Sequence, residues 1–344
     1  MKRSQWMSVG AAAAAFAALP LAGAAAQQPV AQFYKDRTVT IVVAAGAGGP
    51  FGLRANLLSQ FLGKHIPGNP TVVAQYMPGA GGRKAANYLY NAAPKDGTAF
   101  GILFYNTALG YRLQPKGASF DPLKFHWLGS QNSISPILFV WHSAPATSID
   151  AMQKTPLVFG ATGTTSPTGI FPNVLNYIAG TKIRVVKGYP SVPSYIKAAE
   201  SGEIHGAMSG WDALVTNYSD RLKSKEIVPI AQISPIPHPD LKEVPLLPEL
   251  ATSEELRKIA EFFCASSLIG HTNVAPPGVP AERLAALQAA IIATYKDSGA
   301  IAAGEKTGTP VEPVSAADVR RAVEQVMNAP DDLVARARQA AGFQ

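Results

Sequence analysis

Thr38-Val39-Thr40-Ile41-Val42-Val43-Ala44-Ala45-Gly46-Ala47-Gly48-Gly49 is the stretch whose reading decides the fold. Its first seven residues, mostly Val, Ile and Thr, predict a buried strand over 38–44, and a glycine-rich turn follows directly. Leu53, Leu57, Leu58, Phe61, Leu62 and Ile66 then recur at helical spacing until Pro67-Gly68-Asn69-Pro70 stops the helix. The pattern repeats at once, with a strand over 71–76, a second Gly-Ala-Gly-Gly turn at Gly79-Ala80-Gly81-Gly82, and a helix over 83–91. Pro94-Lys95-Asp96-Gly97 makes a turn before a third strand over 98–104. A β-α-β-α-β series of this kind predicts a parallel sheet with helices on its faces. Ligands of such sheets sit beyond the carboxyl ends of the strands, where both glycine turns fall. Side by side, the turns aim two sets of backbone N–H groups and two helix N-termini at one crevice, which suits a small anion. Glycine used only for tight turn geometry is the bland alternative.

Outward from this unit, a second series begins near residue 155. The pattern predicts a strand over 157–161, a Gly/Thr/Ser turn over 162–168, a helix over 169–179 and a strand over 182–187. Ser191 is placed to cap a helix running to about 201, with Gly202 ending it, and strands over 204–208 and 227–233 flank a helix near 212–223. Residues 235–248 hold five prolines and read as an extended connection. Thr252 and Glu255 form a capping-box pattern, Pro276–Pro280 introduces a helix over 281–296, and Ser315 caps another to about 328. This helical C-terminal third is expected to pack back onto the first sheet. The fold class is therefore α/β, a two-lobed clamp in which each lobe is a mainly parallel sheet flanked by helices. Lobe I is expected at 27–130 plus 236–344 and lobe II at 131–235, with hinge crossings near 129–136 and 229–235.

The N-terminus has the layout of an export signal. Lys2 and Arg3 precede an apolar stretch over 9–21, and Ala24-Ala25-Ala26 offers a small-residue cleavage site, with 1–26 removed. An uncleaved N-terminal anchor is the alternative; no later run approaches the roughly 18 apolar residues of a membrane span. The expected location is the periplasm, as a monomer in solution. The formal net charge is +7, two units of it on Lys2 and Arg3, and the rest is spread without basic runs interleaved with aromatics. Nucleic-acid binding finds no support. The single cysteine, Cys264, lies among apolar neighbours and reads as buried; no internal disulfide is possible.

Motifs for chemistry are lacking. The dinucleotide fingerprint G-x-G-x-x-G fails in both turns, where Phe51 and Lys84 stand at the last glycine, and no P-loop is present. The six histidines show no metal-binding spacing, and no nucleophile elbow occurs. No cofactor, metal or catalytic residue is expected. The basic pair Arg83-Lys84 at a helix start, where the macrodipole prefers acids, points either to an anion or to solvent, and Arg54 raises the same question. Tyr189 and Asp212 follow second-lobe strands and are placed to close over a ligand; aromatic packing and helix capping are the alternatives.

Several segments together resemble one family. They are Phe33-Tyr34-Lys35, Ala45–Gly49, Asn69-Pro70-Thr71-Val72-Val73, Met77–Gly82, Ala86–Asn91, Ala93–Thr98, Gly160-Ala161-Thr162-Gly163 and Gly188-Tyr189-Pro190. The chain resembles the extracytoplasmic receptors of tripartite tricarboxylate transporters, the Bug-type solute-binding proteins. The resemblance implies a periplasmic receptor that closes on a small carboxylate and delivers it to membrane subunits. It implies that one carboxylate is gripped by backbone N–H groups and water at Gly46, Ala47, Gly48, Gly49 and Phe51, and at Pro78, Gly79, Ala80, Gly81 and Gly82. From lobe II it implies contacts at Thr162, Thr164, Thr165 and Ser166, with Tyr189 and Asp212 at nearby strand ends. Two departures stand out: Gly52 where the family often has Asp, which disfavours amino-acid ligands, and Ser191-Val192 where it often has Gly-Gly. A periplasmic sensor feeding a signalling receptor, or an exported enzyme with a Rossmann-like cofactor site, are the competing classes.

Overall fold

The computed structural model describes residues 29–47 and 49–343; the expected signal segment, 1–26, and Gly48 of the first turn lie outside the described residues. A short helix, α1 (Val30–Tyr34), leads into β1 (Thr38–Val43), α2 (Pro50–Phe61), β2 (Thr71–Tyr76), α3 (Arg83–Asn91), β3 (Ala99–Leu103), α4 (Thr107–Leu113) and β4 (His126–Ser130). The chain continues through β5 (Pro136–Trp141), α5 (Ile149–Lys154), β6 (Leu157–Ala161), α6 (Pro167–Ala179), β7 (Ile183–Lys187), α7 (Val192–Glu200), β8 (Gly206–Gly210), α8 (Trp211–Lys223) and β9 (Ile227–Gln232). It ends with α9 (Glu254–Cys264), β10 (Thr272–Ala275), α10 (Ala281–Lys296), α11 (Ser298–Thr307), α12 (Ala316–Met327) and α13 (Asp331–Ala340).

Two five-stranded sheets share one plan. The first runs β2-β1-β3-β10-β4 and the second β7-β6-β8-β5-β9. In the first, β1 is parallel to β2 from Thr38↔Thr71 to Val43↔Tyr76 and parallel to β3, while β10 is antiparallel to β3 and β4. In the second, β6 is parallel to β7 and β8, and β5 is antiparallel to β8 and β9. Each sheet thus has four strands running one way, three of them adjacent and parallel, with their carboxyl ends along one edge. The glycine turns follow β1 and β2 on that edge, and 162–166 follows β6 on the corresponding edge of the other sheet.

Burial explains the layers. Ile41, Leu58, Leu62, Phe100, Leu287 and Ile291 are buried together where α2 and α10 cover one face of the first sheet. A second apolar cluster runs without a break from Leu89, Leu103 and Leu109 to Phe159, Phe171 and Phe263, so the two sheets share a core. Each such side chain contributes about 1.5–3 kcal/mol on full burial. Cys264 is buried in this cluster, and burial pushes its thiol pKa up.

Two connections between the sheets run side by side. The first, 131–135, is tied to the return segment by Gln131 N–H to His271 O (3.4 Å) and Ile134 N–H to Ser267 O (3.2 Å). The expected second crossing near 229–235 falls in and just after β9 of the second sheet. Residues 227–232 form β9, and the chain then stays on the second sheet. Leu241 is buried in that sheet's cluster, Gln232 Nε2 donates to Leu241 O (3.0 Å) and Val244 O (2.6 Å), and the Pro-rich segment forms 3-10 turns at 239–241 and 247–250. Proline dictates local backbone but not which sheet Leu241 packs on. The C-terminal third is divided too: α10 lies on the first sheet, whereas α13 packs on α4, α6 and α9. Helix α9 is capped by Ser253, whose Oγ accepts from Leu256 N–H (3.2 Å), one residue past the expected Thr252.

Candidate functional site

Helix α2 starts at an N-cap glycine, Gly49 (φ 92°), with Pro50 next and no side chain capping it. Its first-turn N–H groups have no partner inside the helix. Gly46 and Gly49 face open space where a side chain would stand, and Gly46, Ala47 and Gly49 are exposed. Gly52 is different. The Ala47 carbonyl folds back onto it and occupies the place of a Cβ. An aspartate there does not fit this turn. The same device recurs in the second sheet. Helix α6 begins at Ser166 with Pro167 next, and the Gly163 carbonyl fills the Cβ place of Gly169.

The second glycine turn is shaped by left-handed backbone at Gly81 (φ 63°) and Gly82 (φ 89°), the latter capping α3 without a side-chain partner. Pro78, Gly79, Ala80 and Gly81 are exposed, and Gly82 is buried under the Phe104 ring. Phe104 stacks edge-on to Phe51 (centroids 4.7 Å apart), which in turn meets His271 (4.8 Å). Phe51 and Phe104 therefore join the two turns into one crevice. Burial and the neighbouring Arg54 guanidinium hold His271 well below the usual histidine range, so its ring is neutral.

Across the crevice, the 162–166 turn is held by hydroxyls. Thr168 Oγ1 accepts from Thr162 N–H (2.9 Å) and contacts Thr162 Oγ1 (2.9 Å) and Ser166 Oγ (2.8 Å), while Ser166 Oγ donates to Gly163 O (2.9 Å). Thr164 is exposed. Thr165 meets the first sheet: its Oγ1 would stand 2.6 Å from a Cβ on Gly81, and its carbonyl accepts from Asn106 Nδ2 (3.3 Å). The remaining space here is small, about 10 Å³, among Gly81, Gly82, Asn106 and Thr165. A larger cavity, about 490 Å³, borders Asn132 and Asp212 and is walled by Trp211, His238 and Ser267; of the expected site residues only Asp212 lines it.

Charge enters through one chain of contacts. Arg54, 2 % exposed, donates to Pro50 O (3.2 Å) and to Asn132 Oδ1 (3.1 Å). Asn132 Nδ2 donates to Asp212 Oδ2 (2.9 Å), and Arg54 and Asp212 stand 4.0 Å apart. Burial lowers the Arg54 pKa to about 10 against the opposing pull of Asp212. Asp212 thus joins α8 to α2 through the connecting segment. Arg83 is occupied elsewhere: it donates to Lys116 O (2.8 Å), Gly110 O (3.0 Å) and Gln114 O, closing the C-terminal end of α4. Lys84 lies over Gly79 at the exposed surface. Tyr189 is turned onto its own sheet, packed near Gly160 with its hydroxyl donating to Glu203 (2.5 Å), and does not reach across the crevice.

No family model matches the chain. A UPF0065 protein of Bordetella bronchiseptica is 31% identical over 175 residues, 47% of this chain, and the chain spans about half the length of that relative, 49%. An R. palustris protein solved with adipate superposes with a TM-score of 0.67 at 22% identity, over 88% of this chain and 97% of that one. The periplasmic binding protein BugD gives 0.65 at 17% identity, over 89% and 98%. This is the periplasmic binding protein fold. The two sheets described above are its two lobes, and the 46–51, 78–82 and 162–166 turns lie at the carboxyl ends of their parallel strands.

Within that fold, sequence spacing missed four residues that shape the crevice. Asn106 and Phe104 follow β3, Thr168 pins the lobe II turn, and Asn132 sits in the first connection. The third strand–helix turn carries no glycine run, so only its place after a central parallel strand signals it. Among the described residues no helix is long and apolar enough to cross a membrane.

Proposed function

We propose that this chain is a Bug-type extracytoplasmic receptor that closes two lobes on a small organic carboxylate and presents it to the membrane subunits of a tripartite transporter. The supporting observation is the open backbone at Gly46 and Gly49 beside two uncapped helix starts, with Gly81 of the second turn facing Thr165 of the other lobe. Preorganised N–H groups hold a carboxylate through charge-assisted hydrogen bonds. Gly46, Ala47, Gly48, Gly49 and Phe51 would supply one half of the cradle, and Pro78 to Gly82 the other. Thr162 to Ser166 would close over it. No side chain has to do chemistry, and the reading is that of a binding protein.

The paired connections at 131–135 and 265–271 would serve as the hinge. Ligand binding would then shift an open–closed equilibrium that the membrane partner reads. The export signal read at 1–26 would place the receptor in the periplasm. An adipate-bound relative in fold makes linear dicarboxylates the first compounds to try.

Thermal-shift screening of residues 27–344 against carboxylates, amino acids, sugars and NAD tests this reading. A ligand at a hundred times its Kd stabilises the fold by about 2.7 kcal/mol. A carboxylate response is expected. A response to NAD alone, or to no carboxylate, would overturn the proposal.

A further inference from the structure

Asn106 stands in the third strand–helix turn of lobe I, 3 % exposed, between the second glycine turn and Thr165. Its Nδ2 donates to the Thr165 carbonyl at 3.3 Å. A backbone carbonyl only accepts, so the amide nitrogen is fixed on that side and Oδ1 faces away from it. Oδ1 is buried and has no hydrogen-bond partner among the described residues. The residue lines a cavity of about 10 Å³ with Gly81, Gly82, Arg83 and Thr165, near the least volume that holds one water.

Resting on the carboxylate-receptor reading, we propose that Asn106 is a specificity-determining residue that selects a carboxylate bearing a hydroxyl group. A carboxylate is acceptor-only and leaves Asn106 Oδ1 unmatched; a ligand O–H or N–H satisfies it. Between those two donors the surroundings decide. Arg83 and Gly110 line the same cavity, and the Arg83 guanidinium donates to Gly110 O (3.0 Å), so its positive charge stands close enough to repel an ammonium group. The position where the family often carries an acid is Gly52, filled by the Ala47 carbonyl, so no carboxylate stands there to receive an amine. A neutral hydroxyl meets the demand without either conflict. The backbone turns hold the carboxylate, and Asn106 reads what the carbon chain carries beside it.

Calorimetry on residues 27–344 tests this with sets that differ in one group: succinate, malate and aspartate; glutarate and 2-hydroxyglutarate; 3-phenylpropanoate and 3-phenyllactate. In a set that binds, the hydroxy acid is expected to bind about tenfold or more tighter than the plain acid. Asn106→Ala is expected to collapse that ratio to near one. Because the ratio is taken within each protein, weaker closure from losing the Thr165 contact cancels, and the melting temperature shows that the variant folds. Equal binding of both members, a ratio kept in Asn106→Ala, or aspartate tighter than malate would overturn the proposal while leaving the receptor reading intact. No binding of any carboxylate would overturn both.

Discussion

Gly81 has a φ of 63°, and a Cβ built on it would stand 2.6 Å from Thr165 Oγ1. A branched side chain there is strained by its backbone and also collides with the opposite lobe. Gly81→Val is therefore expected to abolish carboxylate binding in calorimetry while the circular dichroism spectrum stays that of the wild type. Unchanged affinity would show that the lobes do not meet at this turn in the bound state. Gly52 gives the complementary prediction. An aspartate there forces the Ala47 carbonyl out of its seat, so Gly52→Asp is expected to lower urea-unfolding stability by about 1–3 kcal/mol rather than create a binding group. Arg54 and Asp212 behave as a unit. Asp212→Ala leaves a buried guanidinium short of its counter-charge, whereas Arg54→Met with Asp212→Asn removes both charges; the double variant is expected to be more stable than Asp212→Ala.

Among elements, the helix starts are where sequence and structure agree and where they part. The strands over 38–43, 71–76 and 157–161 follow from β-branched runs, whereas α2 and α6 begin at Pro50 and Pro167, a few residues before the 53 and 169 that spacing picks out, because proline suits the first helical turn. The β4, β5 and β10 strands are not readable in the same way. Pro136–Trp141 is a continuous apolar run buried on both faces, so it carries no alternation, and Thr272–Ala275 is only four residues long. Nor can spacing show that Arg54, Asn132 and Asp212 meet, since Asn132 is 78 residues from Arg54 and 80 from Asp212. Thr168 was hidden in the same way, because its work is to close a turn. Thr168→Val removes the acceptor for Thr162 N–H and is expected to cost about 1–2 kcal/mol of stability, with weaker carboxylate binding by calorimetry. At the start of α11, Asp297 accepts from Gly299 and Ala300 N–H and pairs with Lys64 (2.6 Å) and His65 (3.2 Å). The Lys64 hydrogen bond leads the effects that lower its pKa to about 2, against a burial effect that raises it. With the folded value depressed below 3.8, the stabilisation is fully present above about pH 4 and is lost as pH falls through about 2. A Lys64→Met variant is expected to melt below the wild type at pH 7, and the gap is expected to shrink as the pH is lowered toward 2.

For the whole molecule, α13 matters most. It packs on α4 beside the first sheet and on α6 and α9 beside the second, and Asn173 Nδ2 donates to Ala341 O (3.3 Å) just beyond it. Truncation before Asp331 exposes the apolar faces of all three helices and is expected to lower the melting temperature sharply, measured by calorimetric scanning. Val334, Ala337 and Ala340 of this helix are buried in that packing. The shared core also gives the molecule a practical property. Its one cysteine, Cys264, is sealed in apolar packing with its thiol held protonated. A cysteine engineered onto the rim of either lobe would be the sole thiol that a maleimide dye attacks. A protein with a single dye of that kind would convert any lobe movement into an optical signal, without any need to mutate the native residue away.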